Sequence, residues 1–270
     1  MHVNEVLDHT KKTICFIFNK NRNKIIGTGF FVGVKVQEDD DQYQVYLVTA
    51  KHVIAKDEVL PEQVSIATNK REEEEPIFGT IEIKDTTYLT HHKESDVIAI
   101  PIGNDTRLEF KIMGEEIICT RELFKHLEIK KDDPIVFGGY DKNQENIGKV
   151  NPRFKTAKFL SPPQEMQFEI DGYVLDVELL TLRGISYGGF SGAPVYLDAR
   201  LSSKPDLDEK HHFLYFIGIL IGHVEEDESG ENIVTITVVP SHILREILFT
   251  SDSEKLREKQ YQTSTRRHSH

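Results

Sequence analysis

The sequence lacks the long apolar segments that membrane proteins carry. No run within its 270 residues approaches the ~18 consecutive apolar residues that a membrane-spanning helix needs. The N-terminus, Met-His-Val-Asn-Glu, is polar and acidic where a secretory signal peptide has a cationic stretch followed by an apolar core. These two absences predict a cytoplasmic protein.

Cysteine is scarce, and only Cys15 and Cys119 are present. The two could form one disulfide, but two isolated thiols are more typical of a reducing compartment. Neither lies in a glycine-rich turn of the kind that presents a catalytic nucleophile. We therefore expect both to be buried apolar side chains.

Motifs for metals and phosphates are also lacking. No Cys/His cluster has zinc spacing, and neither Gly-x-x-x-x-Gly-Lys-Ser/Thr nor Gly-x-Gly-x-x-Gly occurs. The adjacent pairs His91-His92 and His211-His212 suit a shared metal poorly, because neighbouring side chains on a strand point to opposite faces. The sequence predicts neither a metal nor a cofactor.

Positive charge is in deficit, with 33 Lys and Arg against 45 Asp and Glu and a net charge of −12. This excludes a large sequence-independent attraction to nucleic acid or to anionic lipid, so neither is expected as a partner. The fractions of apolar residues (38%) and charged residues (29%) fit a globular protein of one large domain or two small ones.

What the chain does contain is a series of short segments rich in Val, Ile, Phe and Thr, separated by polar or Gly/Pro turns. A first set of strands is predicted at 13–18, 29–36, 43–49, 64–67, 77–83 and 96–100. A second set is predicted at 135–140, 154–160, 167–170, 174–182, 193–197, 213–222 and 233–239. Many short strands with little helix between them indicate antiparallel barrels or a sandwich.

Two segments have apolar side chains at helical spacing, 120–127 and 241–249, the second directly after Pro240. From residue 251 the chain is polar and charged, which predicts a disordered tail. The predicted division of the chain is a first barrel with the N-terminal segment (1–118), a linker helix (119–130), a second barrel with the C-terminal helix (131–250) and the tail (251–270).

Residues 189–194 read Gly-Phe-Ser-Gly-Ala-Pro and place Ser191 between two glycines ahead of an apolar run. Such a bend can expose the hydroxyl and turn backbone N–H groups toward one point, as an acyl-transfer enzyme requires for a developing oxyanion. Alone, the pattern also fits an ordinary turn. It is not the Gly-x-Ser-x-Gly elbow, because Ala193 replaces the second glycine.

Two further residues have suitable settings. His52 directly follows a strand that ends in Thr-Ala, where an imidazole can face a cleft and act as a general base; the alternative is a surface histidine. Asp96 opens an apolar run, and a buried carboxylate there needs a partner such as an imidazole nitrogen; the alternative is an exposed aspartate. Asp85 is a weaker candidate because Thr-Thr-Tyr follows it instead of aliphatic residues.

The chain order His52, Asp96, Ser191 is that of chymotrypsin and differs from that of subtilisin and the α/β-hydrolases. With these residues the chain resembles the chymotrypsin-like serine peptidases, in particular their intracellular bacterial, HtrA and glutamyl-endopeptidase branches. The resemblance covers roughly residues 13–250. It is carried by the segments 27–32, 48–52, 95–100, 189–195, 216–219 and 238–241.

The resemblance implies an all-β fold of two antiparallel six-stranded β-barrels, with the active site between them and a C-terminal helix. It implies a serine endopeptidase with a polypeptide substrate, in which Ser191 is the nucleophile, His52 the general base and Asp96 the carboxylate that orients it. The backbone N–H groups of Gly189 and Ser191 would form the oxyanion hole.

The main departure from the family is Phe190, which stands where digestive members carry an acid that pairs with a newly cut N-terminus. Zymogen cleavage of that kind is therefore not expected, and activity would be constitutive or controlled by a protein partner or a loop rearrangement. The alternative function is a peptidase-fold binding or scaffold protein with absent or partner-activated catalysis. An acyl hydrolase acting on esters is a third.

By the same resemblance, Ile185 lies at the base of the first substrate pocket, six residues before Ser191. An aliphatic base would disfavour Lys or Arg, whose charge would lack a partner. A shift of one residue would instead bring Ser186 to this place, and Arg183 lies close by.

The strand at 220–223 would pair with the substrate backbone through Ile221 and Gly222. Glutamyl endopeptidases carry a pocket histidine at the position of Leu220. His223 would contact a Glu or Gln side chain only if the strand is bulged, and otherwise it is a surface or turn histidine.

Overall fold

The computed structural model describes residues 3–37, 42–56, 59–69, 76–83, 90–91, 95–102, 110–142, 150–170, 173–186, 188–198, 214–225 and 234–268. Its strands form two separate systems. The first contains β1 (Ile14–Phe18), β2 (Ile25–Lys35), β3 (Tyr43–Ala50), β4 (Gln63–Asn69), β5 (Pro76–Glu82), β6 (Thr90–His91), β7 (Val97–Ile102) and β8 (Met113–Gly114). The second contains β9 (Pro134–Gly139), β10 (Arg153–Ile170), β11 (Tyr173–Gly184), β12 (Pro194–Asp198), β13 (Leu214–Glu225) and β14 (Val234–Pro240).

The second system is a closed barrel in the order β10-β11-β14-β13-β12-β9. The first has the order β5-β4-β1-β2-β3-β7-β6, with the two-residue strand β8 beside β2. Six of its strands are longer than two residues, and all of these pair antiparallel. The predicted all-β class with two six-stranded antiparallel systems is confirmed. Within the described residues, however, the first system is an open half-barrel.

Among the described residues there are five α-helices: α1 (Val3–Thr13), α2 (Lys51–Ile54), α3 (Arg121–His126), α4 (Ser241–Leu248) and α5 (Ser251–His268). The helices predicted at 120–127 and 241–249 correspond to α3 and α4. At the start of α3, the Thr120 side chain accepts a hydrogen bond from the N–H of Leu123, which satisfies one free donor of the first turn. None of the described helices is both long enough and apolar enough to cross a membrane.

The long strand β10 differs from the sequence prediction of two strands at 154–160 and 167–170. Pro162 and Pro163 lie between those segments, and proline has no N–H to donate to a strand ladder. The pairing of β10 with β11 shifts register between Phe159 and Ser161 and again between Ser161 and Gln164. These irregularities accommodate the prolines, so the strand continues through them.

The two systems share a hydrophobic core. Phe30 of β2 and Phe216 of β13 are both fully buried, and their ring centroids are 5.4 Å apart. Strand β2 is buried from Gly27 to Val34, so neither of its faces is open to water. A second cluster, which includes Leu180, Leu182 and Ile236, lies among the strands of the closed barrel. The active-site candidates lie along the contact between the two systems.

The predicted disordered tail is wrong over 251–268, where the structure has the helix α5. Leu256 and Arg257 are buried at its first turns. The guanidinium of Arg257 donates to the carbonyl oxygen of Leu248 over 2.7 Å and lies 5.4 Å from the ring centroid of Phe249. Among the side chains of α5 that the structure describes, the buried ones are Ser253, Leu256 and Arg257, a pattern that hydropathy does not reveal.

Cys15 and Cys119 are free and buried, as expected. Burial raises the pKa of the Cys119 thiol to about 12, and it raises the pKa of Cys15 as well. Both thiols are therefore protonated at neutral pH and act as small apolar side chains.

Candidate active site

The carboxylate of Asp96 binds His52 at two points. One oxygen, Oδ1, accepts the backbone N–H of His52 over 2.8 Å, and the other, Oδ2, lies 2.5 Å from Nδ1 of the ring. Since an ionised carboxylate only accepts hydrogen bonds, the proton of this contact is on Nδ1. The Asp96 side chain is 4% exposed and that of His52 is 22% exposed, so the ring alone reaches solvent.

Strand register brings these two residues together. Strand β3 pairs antiparallel with β7, with Ala50 opposite Val97. Asp96 precedes β7 and Lys51 follows β3, and the Lys51 N–H donates to the Asp96 carbonyl over 3.1 Å. The short helix α2 begins at this point and presents His52 directly to the carboxylate. The predicted partnership of Asp96 with an imidazole nitrogen is present in the geometry.

Ser191 lies in the turn before β12, which is held against both strand systems. Its carbonyl oxygen accepts the Thr28 N–H of β2 over 2.9 Å, and the next N–H, of Gly192, donates to the Leu220 carbonyl over 2.7 Å. The Ser191 hydroxyl is 3.4 Å from the carbonyl oxygen of Ile221. Gly192 has φ +85°, and a Cβ there would collide with the Thr28 carbonyl and the Thr49 hydroxyl.

Gly27 connects the histidine and the serine sides of the site. A Cβ at this position would lie 2.5 and 2.8 Å from the two methyl carbons of Val53 and 3.1 Å from the carbonyl oxygen of Ser191. Val53 is the neighbour of His52 on α2. The helix that carries the imidazole and the turn that carries the hydroxyl thus pack on the same point of β2, where only glycine leaves room.

The backbone around Gly189 is bridged to the first system by the Thr28 side chain. The Thr28 hydroxyl donates to the Gly189 carbonyl over 2.8 Å and accepts the Tyr140 N–H over 2.9 Å. Gly189 has φ +108°, a conformation that favours glycine. Within the part of the chain that the structure describes, no group accepts a hydrogen bond from the N–H of Gly189 or of Ser191. Two donors are therefore left for a ligand.

Phe190 fills the interior beside this turn. It is fully buried, and its ring meets that of Phe137 edge-on with centroids 5.2 Å apart. The Lys155 ammonium lies 5.2 Å from the Phe190 ring centroid. Residue 190 therefore anchors the turn by packing an apolar ring into the barrel core, and not by forming an ion pair.

Strand β13 offers an unpaired edge next to Ser191. Its pairing with β12 ends at Ile219, whereas its pairing with β14 continues to Glu225. Leu220 still accepts the Gly192 N–H and donates to the Ala193 carbonyl, and beyond Leu220 this edge has no β-partner among the described strands. The register with β14 shifts between Leu220 and Gly222, so the strand is bulged at Ile221. A bulge is the condition under which His223 was expected to contact a Glu or Gln side chain.

The candidate substrate-binding residues differ in burial. Ile221 is buried and Gly222 is half-buried, with the Phe168 ring 3.0 Å from where a Cβ of Gly222 would be. His223 is half-buried and pairs with Ile236 of β14, so it belongs to a strand and is not in a turn. Ile185 is 44% exposed.

Of the two candidates for the pocket base, Ser186 is more buried than Ile185. Ser186 is buried, and among the described residues its hydroxyl has no hydrogen-bond partner. Arg183 is exposed. The alternative register that brings Ser186 to the pocket base therefore stays open.

Other candidates lie elsewhere or outside the described residues. Asp85, His92 and the pair His211-His212 fall outside them. Among the residues that the structure does describe, no group of three or more His, Cys, Asp or Glu side chains is placed to hold a metal ion. The roles of Thr28 and Tyr140 were not predicted from the sequence. Only the small-residue run Gly-Thr-Gly at 27–29 hinted at a close approach there.

No protein-family model and no curated protein sequence matches the chain. Solved structures do. The apo MamO protease domain from Magnetospirillum magneticum has a TM-score of 0.56 at 11% identity, over 89% of this chain and 97% of that one. The active form of the Rv3671c protease from M. tuberculosis has a TM-score of 0.53 at 16% identity, over 91% and 83%.

Human heparin binding protein has a TM-score of 0.51 at 11% identity, over 87% of this chain and 89% of that one. At such low identities the likeness concerns the fold. The chain has the chymotrypsin-like fold, which is that of trypsin-like peptidases. The bacterial, HtrA and glutamyl-endopeptidase branches that the sequence resembles stay predictions.

Proposed function

We propose that this protein is a serine endopeptidase that hydrolyses peptide bonds through an acyl-enzyme. The observation that carries the proposal is the pair of hydrogen bonds from Asp96 to the backbone and ring of His52, on a helix that packs with the Ser191 turn around Gly27. Neither a surface histidine nor a strand-entry aspartate requires this arrangement. A general base and the group that orients it do.

In the proposed reaction, His52 takes the proton of the Ser191 hydroxyl as the oxygen attacks the scissile carbonyl. Asp96 holds the proton on Nδ1, which leaves Nε2 to accept, and it stabilises the imidazolium that forms. His52 then gives the proton to the leaving amine. A water molecule activated by the same imidazole hydrolyses the ester and releases Ser191.

The N–H groups of Gly189 and Ser191 are proposed to bind the oxyanion. Their lack of an acceptor in the described part of the chain supports this role, and the positive φ of Gly189 matches a turn built for glycine. Donors fixed before the reaction are effective because they need no reorganisation when charge develops. Loss of one such donor costs about 3 kcal/mol in comparable enzymes.

The unpaired edge of β13 supports an extended polypeptide as substrate. A peptide can add to such an edge as a further strand and pair with the backbone of Ile221, Gly222 and His223. We propose that Ile185 or Ser186 lies at the base of the pocket for the first side chain. Neither is charged, which disfavours Lys and Arg there. The bulge at Ile221 supports contact of His223 with a Glu or Gln side chain.

The proposal is tested with a fluorophosphonate probe on the wild type and on Ser191→Ala. Labelling of the wild type alone, followed by cleavage of a peptide library, supports it. A faster reaction with esters but none with amides would point to the acyl hydrolase instead. We also propose that the protein is cytoplasmic and that neither nucleic acid nor membranes are its partners.

A binding or scaffold role is the second candidate. The observation in its favour is the Ser191 hydroxyl, which lies within hydrogen-bond range of the Ile221 carbonyl. In that role the protein would bind peptides on the β13 edge without turnover, or would wait for an activating protein partner. Peptide binding with equal or absent labelling of the wild type and Ser191→Ala would favour this candidate.

A further inference from the structure

The segment 140–142 contacts two successive residues, Gly188 and Gly189, of the turn that carries Ser191. A Cβ on Gly189 would be 2.6 Å from the Tyr140 ring and 2.9 Å from its carbonyl oxygen. At Gly188, the nearest atom to such a Cβ is Cδ of Lys142, at 3.4 Å. The position of the turn therefore depends on where the segment 140–142 lies.

Asp141, in the middle of this segment, is bound by Lys155 of β10. The ammonium and the carboxylate are 3.1 Å apart, and their side chains are only 19% and 15% exposed. Partial burial strengthens the attraction between the two charges, so a substitution that removes either charge removes an interaction that holds the segment 140–142 on β10.

The same ammonium also lies close to Phe190, in the turn that carries Ser191. Lys155 lies opposite Phe137 in the pairing of β10 with β9, so the two side chains share a face. The ring of Phe137 packs against Phe190, and the ammonium of Lys155 is 5.2 Å from the Phe190 ring centroid. A cation over an aromatic face at this distance is attracted by the ring.

We propose that Lys155 is a positioning residue for the oxyanion hole. Its ammonium binds Asp141 of the segment 140–142 and the Phe190 ring of the turn that carries Ser191. It thereby holds this turn with the N–H groups of Gly189 and Ser191 free to donate hydrogen bonds to an oxyanion. This inference rests on the proposed peptidase function. It supplies an internal means of ordering the turn, for which neither cleavage of the chain nor a partner is required.

The chain offers a matched control on the same strand. Lys158 also pairs with an aspartate, Asp132, but at 3.9 Å and with both side chains more than 60% exposed. The variants are Lys155→Met, Lys155→Arg and Asp141→Asn, with Lys158→Met as the control. Methionine keeps the apolar stem and removes the charge, whereas arginine keeps both the charge and the cation–ring contact.

The first measurement is hydrogen exchange of peptides that cover 188–193, in a Ser191→Ala background that needs no catalysis. Lys155→Met and Asp141→Asn are expected to exchange faster there than the parent, while Lys155→Arg and Lys158→Met match it. Asp141→Asn decides the matter if Lys155→Met fails to fold. Unchanged exchange in both would overturn the inference.

The second measurement is kinetic and uses the native serine. Lys155→Met is expected to lower kcat and the rate of fluorophosphonate labelling by about 10²-fold, because a displaced turn would lose one donor to the oxyanion. KM should be nearly unchanged. Lys155→Arg should keep the wild-type rate. A rise in KM alone, or no rescue by arginine, would overturn the positioning role. Absence of labelling in the wild type would contradict the proposed function. The comparison of hydrogen exchange among the variants would still test the role of Lys155.

Discussion

Asp96 joins the backbone and the side chain of His52 through one carboxylate, with Oδ1 on the N–H and Oδ2 at Nδ1. Its Oδ1 bond fixes the start of α2, and its Oδ2 bond sets the tautomer of the ring. Folding and chemistry therefore depend on the same side chain at this point. The two roles can be separated by a substitution that preserves only the first.

Asp96→Asn is that substitution. The amide oxygen can still accept the His52 N–H, but the amide nitrogen would then donate to Nδ1 and place the ring proton on Nε2, facing the serine. We expect kcat to fall by about 10⁴-fold with little change in KM. Steady-state kinetics measure the loss, and an unchanged Tm is the control for folding. Activity near the wild-type level would contradict the role of Asp96.

Gly27→Ala tests the packing of the histidine helix and the serine turn on β2. The new methyl group would overlap the Val53 side chain, and we expect a loss of about 1–3 kcal/mol in the free energy of unfolding, together with slower labelling of Ser191. Denaturant unfolding measures the first effect. Addition of Val53→Ala should recover much of the lost stability and of the lost labelling rate. No recovery would contradict an overlap between residue 27 and the Val53 side chain.

Thr28→Val removes the hydroxyl that bridges Gly189 and Tyr140. The side-chain volume is kept, but the Gly189 carbonyl and the Tyr140 N–H lose their partner, so we expect a destabilisation of about 1–2 kcal/mol and a lower labelling rate. Thr68→Val is the matched control. The Thr68 hydroxyl is buried without a hydrogen-bond partner in the described residues, so its removal should be neutral or stabilising. Equal effects of the two substitutions would contradict the bridge.

Arg257→Ala tests the docking of α5. The variant loses the bond to the Leu248 carbonyl and the contact with the Phe249 ring, and we expect a loss of about 1–3 kcal/mol in unfolding free energy. Lys255→Ala, on the same helix with its side chain 69% exposed, should change stability little. If both variants unfold at the same denaturant concentration as the wild type, α5 contributes nothing through Arg257.

Glu178 gives a prediction for acid stability. Burial disfavours its charge, but hydrogen bonds from Arg121 and His242 outweigh burial and hold the pKa of the carboxyl below its ordinary value of 4.5. A lowered folded pKa means that this stabilisation is present above the ordinary value and is lost as the pH falls through the folded one.

The variant that tests this is Glu178→Gln. We expect its Tm to lie below that of the wild type at neutral pH, with the difference narrowing as the pH falls below about 4. Glu169→Gln, at an exposed position of the same hairpin opposite Val174, is the control for a change of charge alone. A difference in Tm that stays constant across this pH range would contradict the prediction.

Local sequence patterns predicted much of the fold because strands and turns have short-range signatures. Apolar segments rich in β-branched residues marked most of the strands in both systems, and Thr120 and Pro240 marked the starts of α3 and α4. Patterns failed where a contact far along the chain decides the outcome. The sequence predicted two strands, at 154–160 and 167–170, where a bulged pairing with β11 gives one continuous strand. It predicted disorder after residue 251, where Arg257 is buried and donates to the carbonyl of Leu248.

For the candidate site, the sequence by itself determined the residue types, their order and their local settings. A histidine after a strand, an aspartate before one and a serine between glycines are features of a few adjacent residues, and they indicated His52, Asp96 and Ser191. Tertiary structure alone decided how they are held. The register of β3 with β7, the close approach at Gly27, the Thr28 bridge and the ammonium of Lys155 beside Phe190 all join residues distant in the chain, and their geometry exists only once both strand systems have packed together.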